Sequence, residues 1–202
     1  MTGAQDALWR VELEAGPVGL RPLRWRDGRR WREVRERNAD WLRPWEATSP
    51  LPYADRPPSF GSMVHRMRTE ARAGRTIPFA VTYERAFAGQ LTVSGIMWGS
   101  LRTAFLGYWV DRAVAGRGVM PTAVALAVDH CIKTAGLHRV EINIRPENAA
   151  SLRVVEKLGF RDEGLRPRYL HIDGDWRDHR SFALCAEDLP PGGLTAHWQA
   201  TR

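Results

Sequence analysis

The apolar positions along the chain follow two periods, and the places where one gives way to the other divide it into elements. Alternation in "VGLRPLRWRDG" predicts a strand ending near Asp27, which can cap a following helix with Trp31 and Val34 on one face. Met63, Met67 and Ala71 recur every four residues and predict a second helix, opened by Ser59 and closed at Gly74. Residues 41–59, between the two helices, are too rich in proline for regular structure and read as an irregular loop. From Ile77 the period becomes two. "IPFAVTY", "FAGQLTVSGIM" and "TAFLGYWV" read as strands, with Pro78 putting the first at a sheet edge or near its own beginning. The third runs through Gly116-x-Gly118 directly into an alanine-rich helix that Gly136 stops. "RVEINI" is a further strand, Asn148 caps a short helix ended by Gly159, and Asp173-Gly174 between two alternating runs predicts a hairpin. Residues 1–16 have no clear period and read as a flexible leader or accessory strand. Residues 17–188 form one domain, and 189–202 read as a polar, frayed tail.

Composition narrows the class. With 44% apolar and 26% charged residues, the 202-residue chain suits a globular protein with a single core. No run approaches the ~20 apolar residues of a membrane span, and the start lacks a signal core, so a cytoplasmic protein without a membrane partner is expected. Cys131 and Cys185 lie on apolar faces, as free thiols of a reducing compartment do. The net charge of +7 is carried almost wholly by arginine, since lysine occurs only at 133 and 157. Arginine favours phosphate-bearing ligands through bidentate contacts, but the scatter of these residues predicts no specific nucleic-acid partner. The six histidines show no zinc spacing, so no metal is expected. Trp25, Trp31, Trp41 and Trp45 are spaced irregularly and read as core and pocket lining rather than a base-stacking set.

The glycine turn is the most informative stretch. A helix N-terminus presents unpaired amides and a partial positive charge, so strand, glycine turn and helix together make an anion site. Gly116 and Gly118 allow the backbone to curl and a phosphate to approach. The Walker pattern is absent, and Pro121 stands where a dinucleotide fingerprint needs its third glycine.

"YWVDRAVAGRGVMPTAVALAVDHC" followed by "HRVEINIRPENAASLRVVEKLGFRDEG" resembles the acetyl-CoA-binding core of the GNAT superfamily of N-acetyltransferases. The superfamily's glycine motif corresponds to Ala113 through Gly118, and its downstream Asn-x-x-Ser and Gly-Phe to Asn148, Ser151, Gly159 and Phe160. "LRPWE", "GYWV" and "YLHIDGDWRDH" are similar to the RimJ/RimL branch, which acetylates ribosomal-protein N-termini. The resemblance implies an α/β (α+β) GNAT fold, a mixed and mostly antiparallel sheet flanked by helices, with two central strands splayed to admit acetyl-CoA as co-substrate. It implies that the backbone of Tyr108, Trp109 and Val110 meets the pantetheine arm. It also implies that Ala115, Gly116, Arg117, Gly118, Val119 and Met120 cradle the pyrophosphate, with Asn148 touching the pantetheine. Ala113 departs from the family's usual Gln or Arg.

Acetyl transfer needs a neutral amine and a proton for the leaving thiolate. Ser151 is the candidate acid by motif position. Relatives often carry an acidic residue five positions before the motif asparagine, where this chain has Asn143, which can hold a water but cannot act as a base. An α-amino group has a pKa of about 7.7–8.0 against about 10.4 for lysine, so the missing acid suits an N-terminal acceptor better than a lysine. Glu46 in "PWEATSP" is the first candidate for base or amine anchor, with Glu141 and Asp178 as substitutes. The expected activity is therefore direct acetyl transfer to a protein N-terminus, a ribosomal protein in that branch, by a monomer or homodimer. The alternatives are a small-amine acetyltransferase, acting on an antibiotic or polyamine, or a non-catalytic CoA-sensing or ribosome-associated module.

Overall fold

The computed structural model describes residues 8–51 and 59–201. Residues 1–7 of the expected leader and 52–58 of the proline-rich loop lie outside the described residues. Among the described residues, eight strands form one sheet in the order β1-β2-β3-β4-β5-β6-β8-β7. They are β1 (Leu13–Ala15), β2 (Val18–Pro22), β3 (Ile77–Tyr83), β4 (Ala86–Met97), β5 (Thr103–Val110), β6 (Arg139–Ile144), β7 (Arg161–Ile172) and β8 (Asp175–Cys185). Every neighbouring pair is antiparallel except β5 and β6, which are joined by a helical crossover and so run parallel. The mixed, mostly antiparallel sheet matches the expected fold class.

Helices α1 (Gly28–Arg37), α2 (Ala39–Leu42) and α3 (Phe60–Arg72) precede β3. Ser59 caps α3 by accepting from the Ser62 amide at 3.1 Å. The predicted stripe divides: Ala71 enters the main core, while Met63 and Met67 pack on a smaller cluster of Leu23, Phe60, Val64 and Ala80. Asp27 occupies the cap position of α1 without capping it, because its carboxylate instead accepts from the Arg24 amide and from Arg21, each at 2.8 Å. Pro78 does not mark an edge. β3 lies inside the sheet, and Pro78, its second residue, falls beyond the last β2 pair at Pro22↔Phe79, where no ladder amide is required.

The crossover helix α4 (Val119–Asp129) is apolar all round and buried from Val119 to Val128, because it lies between the sheet and another helix. That helix, α5 being Ala149–Lys157, is α6 (Leu194–Ala200). The tail expected to fray is thus folded. Leu194 and Trp198 are buried in the main core, Asp129 accepts the Leu194 and Thr195 amides at 2.9 Å, and the Trp198 indole donates to Thr122 Oγ1 at 2.8 Å. The leader ends in β1, an accessory strand paired to β2, and α6 extends the unit beyond residue 188. Asp173 and Gly174 turn the β7–β8 hairpin with φ of 47° and 83°, both left-handed as its two-residue loop requires. Cys131 is buried and Cys185 half-buried, both as free thiols, and burial pushes the Cys131 thiol up to about 12. Among the described residues no helix is long and apolar enough to cross a membrane.

Candidate active site

Strands β5 and β6 start as neighbours and then part. Their ladder holds Thr103↔Arg139, Ala104↔Val140 and Phe105↔Glu141 and goes no further. Beyond it a cavity of about 200 Å³ opens, with Leu106, Gly107 and Tyr108 from β5 and Ile142, Asn143 and Ile144 from β6 in its lining. Arg145, Asn148 and Ser151 add the β6–α5 connection, Trp45 and Ala47 the loop before α3, and Leu170, Ile172 and His179 the hairpin. Among the described residues no atom lies within 4 Å of where a Gly107 Cβ would be, so the face of β5 is open at that position.

The strand end is clamped before the turn begins. Buried Asp111 accepts from Arg37, from Asn38 Nδ2 at 2.9 Å and from the Ala113 amide at 3.2 Å, while Asn38 Oδ1 accepts from the Arg112 amide at 3.0 Å. Burial alone would push the Asp111 carboxyl up, but these donors more than offset it and hold it below the ordinary range. Gly116 and Gly118 then take φ of 80° and 77°, and among the described residues nothing lies within 4 Å of a Gly116 Cβ. α4 starts at Val119, and the Thr122 amide closes on the Gly118 carbonyl at 3.2 Å. Since Pro121 has no amide, those of Val119 and Met120 lie ahead of the helical ladder, at the positive end of the dipole. The side chains of both are buried in the core, so any ligand would meet only their backbone. Ala115 is half-buried beside the turn and Arg117 is exposed in it. Of the β5 residues, Trp109 turns its ring to the other face, against Trp31 and Phe87, and Val110 packs on the main core.

Asn148 caps α5 by accepting from the Ser151 amide at 3.1 Å, which brings Ser151 to the cavity. The Tyr108 hydroxyl is buried beside Ser151 without a hydrogen bond of normal geometry, and burial pushes its ionisation well above the usual phenol range. It therefore stays protonated, with the Ser151 side chain as its polar neighbour. Asn143 is held on both sides: its Oδ1 accepts from Ser181 Oγ at 2.6 Å, and its Nδ2 donates to the Tyr169 hydroxyl at 3.4 Å.

The three candidate carboxylates do not join them. Glu46 is ion-paired to Arg35, and its neighbours Trp45 and Ala47 line the cavity instead. Glu141 is buried between Arg139 at 2.9 Å and Arg166 at 3.2 Å. Asp178 is exposed on the hairpin and accepts the Arg168 amide at 2.7 Å.

The sequence reading missed His179. It is 4% exposed, lines the cavity, and bonds the Arg177 carbonyl through Nδ1 at 3.0 Å. The available signal was the period of two in β8, which puts residue 179 on the same face as Ser181, the cross-strand partner of Asn143. The fold also gathers His138, Cys185 and Glu187 with ligand atoms within 4.8 Å of one another, a grouping no sequence spacing shows. There His138 bonds Glu187 at 2.9 Å, and Arg139 and Arg161 approach the Cys185 sulfur at 3.8 and 3.7 Å. Of the tryptophans, Trp31 packs on Phe60 and Trp45 lines the cavity, as expected, but Trp25 is 49% exposed.

Comparison with known proteins bears on this geometry. The family model for an acetyltransferase (GNAT) domain matches residues 18–161. The chain is 28% identical over 194 residues to the [ribosomal protein uS5]-alanine N-acetyltransferase of Escherichia coli, covering 95% of this chain and 100% of that one. It is 41% identical over 100 residues to a Bacillus subtilis protein named "Probable N-acetyltransferase YjcK", a match spanning 50% of this chain and 55% of that one. Among solved structures, Mycobacterium smegmatis RimJ in complex with CoA-disulfide superposes with a TM-score of 0.89 at 39% identity, covering 96% of each chain.

Proposed function

Because the chain belongs to the GNAT acetyltransferase family, with acetyl-CoA as its co-substrate, we propose that its acceptor is the N-terminal amine of a protein, of the ribosomal-protein-alanine type. The observation that carries this reading is the parting of β5 from β6 after three residue pairs, directly ahead of a glycine turn and helix N-terminus. The full-length match to a uS5-alanine acetyltransferase supports the choice of acceptor.

The residues present fit acetyl-CoA. The bare edge of β5 from Tyr108 to Val110 offers backbone groups to the amides of the pantetheine arm, and Asn148 lies in the same cleft. The turn from Ala115 to Met120 offers amides without a side chain at Gly116 to block a pyrophosphate. Arg117, exposed in that turn, adds positive charge. The thioester supplies the acetyl group. Ser151, with the buried Tyr108 hydroxyl beside it, gives the departing sulfur its proton, and the fixed amide of Asn143 orients a water or the incoming amine. Glu46, charge-paired at the rim, anchors the acceptor chain rather than its reacting nitrogen.

The test is release of CoA thiol from acetyl-CoA with peptides bearing free N-terminal Ala, Ser or Met, Nα-blocked lysine peptides, and small amines. Turnover confined to free N-terminal peptides is the expected result. Preference for a small amine would replace the acceptor assignment, and acetyl-CoA binding without turnover of any acceptor would favour a sensing role.

A further inference from the structure

We propose that His179 is the general base that takes the acceptor's proton, an assignment that rests on the acetyl-transfer reading above. Of the described side chains lining the cavity, only His179 can accept a full proton near neutral pH: Arg145 is already charged, and no carboxylate is among those described. The three carboxylates that could have served lie elsewhere, Glu46 on Arg35, Glu141 between Arg139 and Arg166, and Asp178 on the Arg168 amide.

The geometry of the ring decides its tautomer. A carbonyl oxygen only accepts, so the 3.0 Å contact between Nδ1 and the Arg177 carbonyl requires the hydrogen on Nδ1. Nε2 then carries the lone pair, and among the described residues no group hydrogen-bonds to it. Tyr169 meets the ring edge to face, with centroids 5.6 Å apart, and limits its rotation. Burial lowers the affinity of the ring for a proton. The bond to the Arg177 carbonyl works against that, Arg145 adds to it, and Glu147 and Asp178 oppose it, with a net downward shift. His179 is thus neutral at physiological pH, in the form a base requires.

The nitrogen lone pair of the neutral amine forms the N–C bond to the acetyl carbon and the C–S bond breaks. Nε2 takes the proton the nitrogen sheds, and the Ser151–Tyr108 pair gives one to the leaving sulfur. His179 then passes its proton to solvent, from which the donor pair is refilled. The placement divides the work between two strands, the donor beside β5 and the acceptor on β8, with Asn143 between them on β6.

His179→Gln should lower kcat at least 100-fold with an N-terminal alanine peptide and remove the acidic limb of the kcat profile, while acetyl-CoA affinity stays within threefold. Imidazole in the buffer should restore at least tenfold to His179→Ala. A His179→Gln rate within threefold of wild type, or a loss that imidazole leaves untouched while the acidic limb persists, overturns the proposal. A measurement on the unmodified chain guards against variants that do not fold: ¹⁵N chemical shifts should report a neutral Nδ1–H ring at pH 7, and an Nε2–H or charged ring there overturns it too. Failure of the acceptor reading is distinguishable, because it appears as wild-type preference for another amine, on which the imidazole rescue can be run unchanged.

Discussion

The two sides of the cavity are built by different means. On one, β5 and α4 are joined by a glycine turn, and the ten residues from Val119 to Val128 are all buried, so position comes from close packing and backbone conformation. On the other, β7 is exposed along nearly its whole length and the hairpin carries exposed ion pairs, Arg180 to Asp162 across its strands and Arg177 to Asp175 within β8. Packing energy is sensitive to every missing methylene, whereas exposed ion pairs contribute little each. The side proposed to hold the shared co-substrate is therefore rigid and local in sequence, and the side proposed to meet the acceptor is assembled from residues far apart in the chain.

The sharpest way to break this contrast is Trp198→Ala. Trp198 packs α6 on α4, and its indole donates to Thr122 Oγ1, which donates in turn to the Gly118 carbonyl at 2.8 Å. Truncation should cost about 3–5 kcal/mol in denaturant unfolding, and a loss below about 1 kcal/mol would mean that the packed side does not depend on its outer helix. Next comes Gly116→Glu. A carboxylate in the turn should weaken acetyl-CoA binding at least about 100-fold by calorimetry, whereas Gly116→Ala carries the backbone strain alone, about 1–2 kcal/mol. Equal affinities for the two variants would remove the charge argument.

Tyr108→Phe has effects of opposite sign on stability and rate. Removing a buried hydroxyl that makes no hydrogen bond of normal geometry should stabilise the free protein by up to about 1 kcal/mol, while kcat should fall about tenfold if that hydroxyl shares proton donation with Ser151. A destabilised variant with an unchanged rate would make Tyr108 a packing residue only.

What could be read from the sequence follows the same division. Gly116, Gly118, the Asn148 cap and Asp173-Gly174 act within a few residues of themselves, and each local pattern was enough to place them. His179 becomes meaningful only once β8 lies against β6 in the register Asn143↔Ser181, a pairing across 38 residues that no local pattern encodes. Glu46 shows the converse: a suitable residue in a suitable loop, engaged by Arg35, whose guanidinium also lies 5.0 Å over Trp31. The C-terminal helix was obscured by the run Pro190-Pro191-Gly192-Gly193, although Leu194 and Trp198, four apart, carried its signal.

The smallest expected effect tests the hairpin itself. Arg180→Gln removes a cross-strand pair with Asp162 in which both side chains are about 40% exposed, Arg180 at 40% and Asp162 at 41%. The guanidinium also lies 5.1 Å over the Phe182 ring, so both charge and packing are lost. Partial exposure screens the attraction, and the cost should be about 0.2–1 kcal/mol in low salt, shrinking as ionic strength rises. Unfolding in urea at two salt concentrations measures it. A cost above about 2 kcal/mol that salt does not reduce would mean the hairpin is fixed as firmly as α4, and the acceptor side would then be as preorganised as the other. A small, salt-sensitive cost leaves β7 and β8 able to adjust around an incoming chain, while the buried anchors of His179, the Arg177 carbonyl and the Asn143–Ser181 bond keep the proton-transfer groups in place.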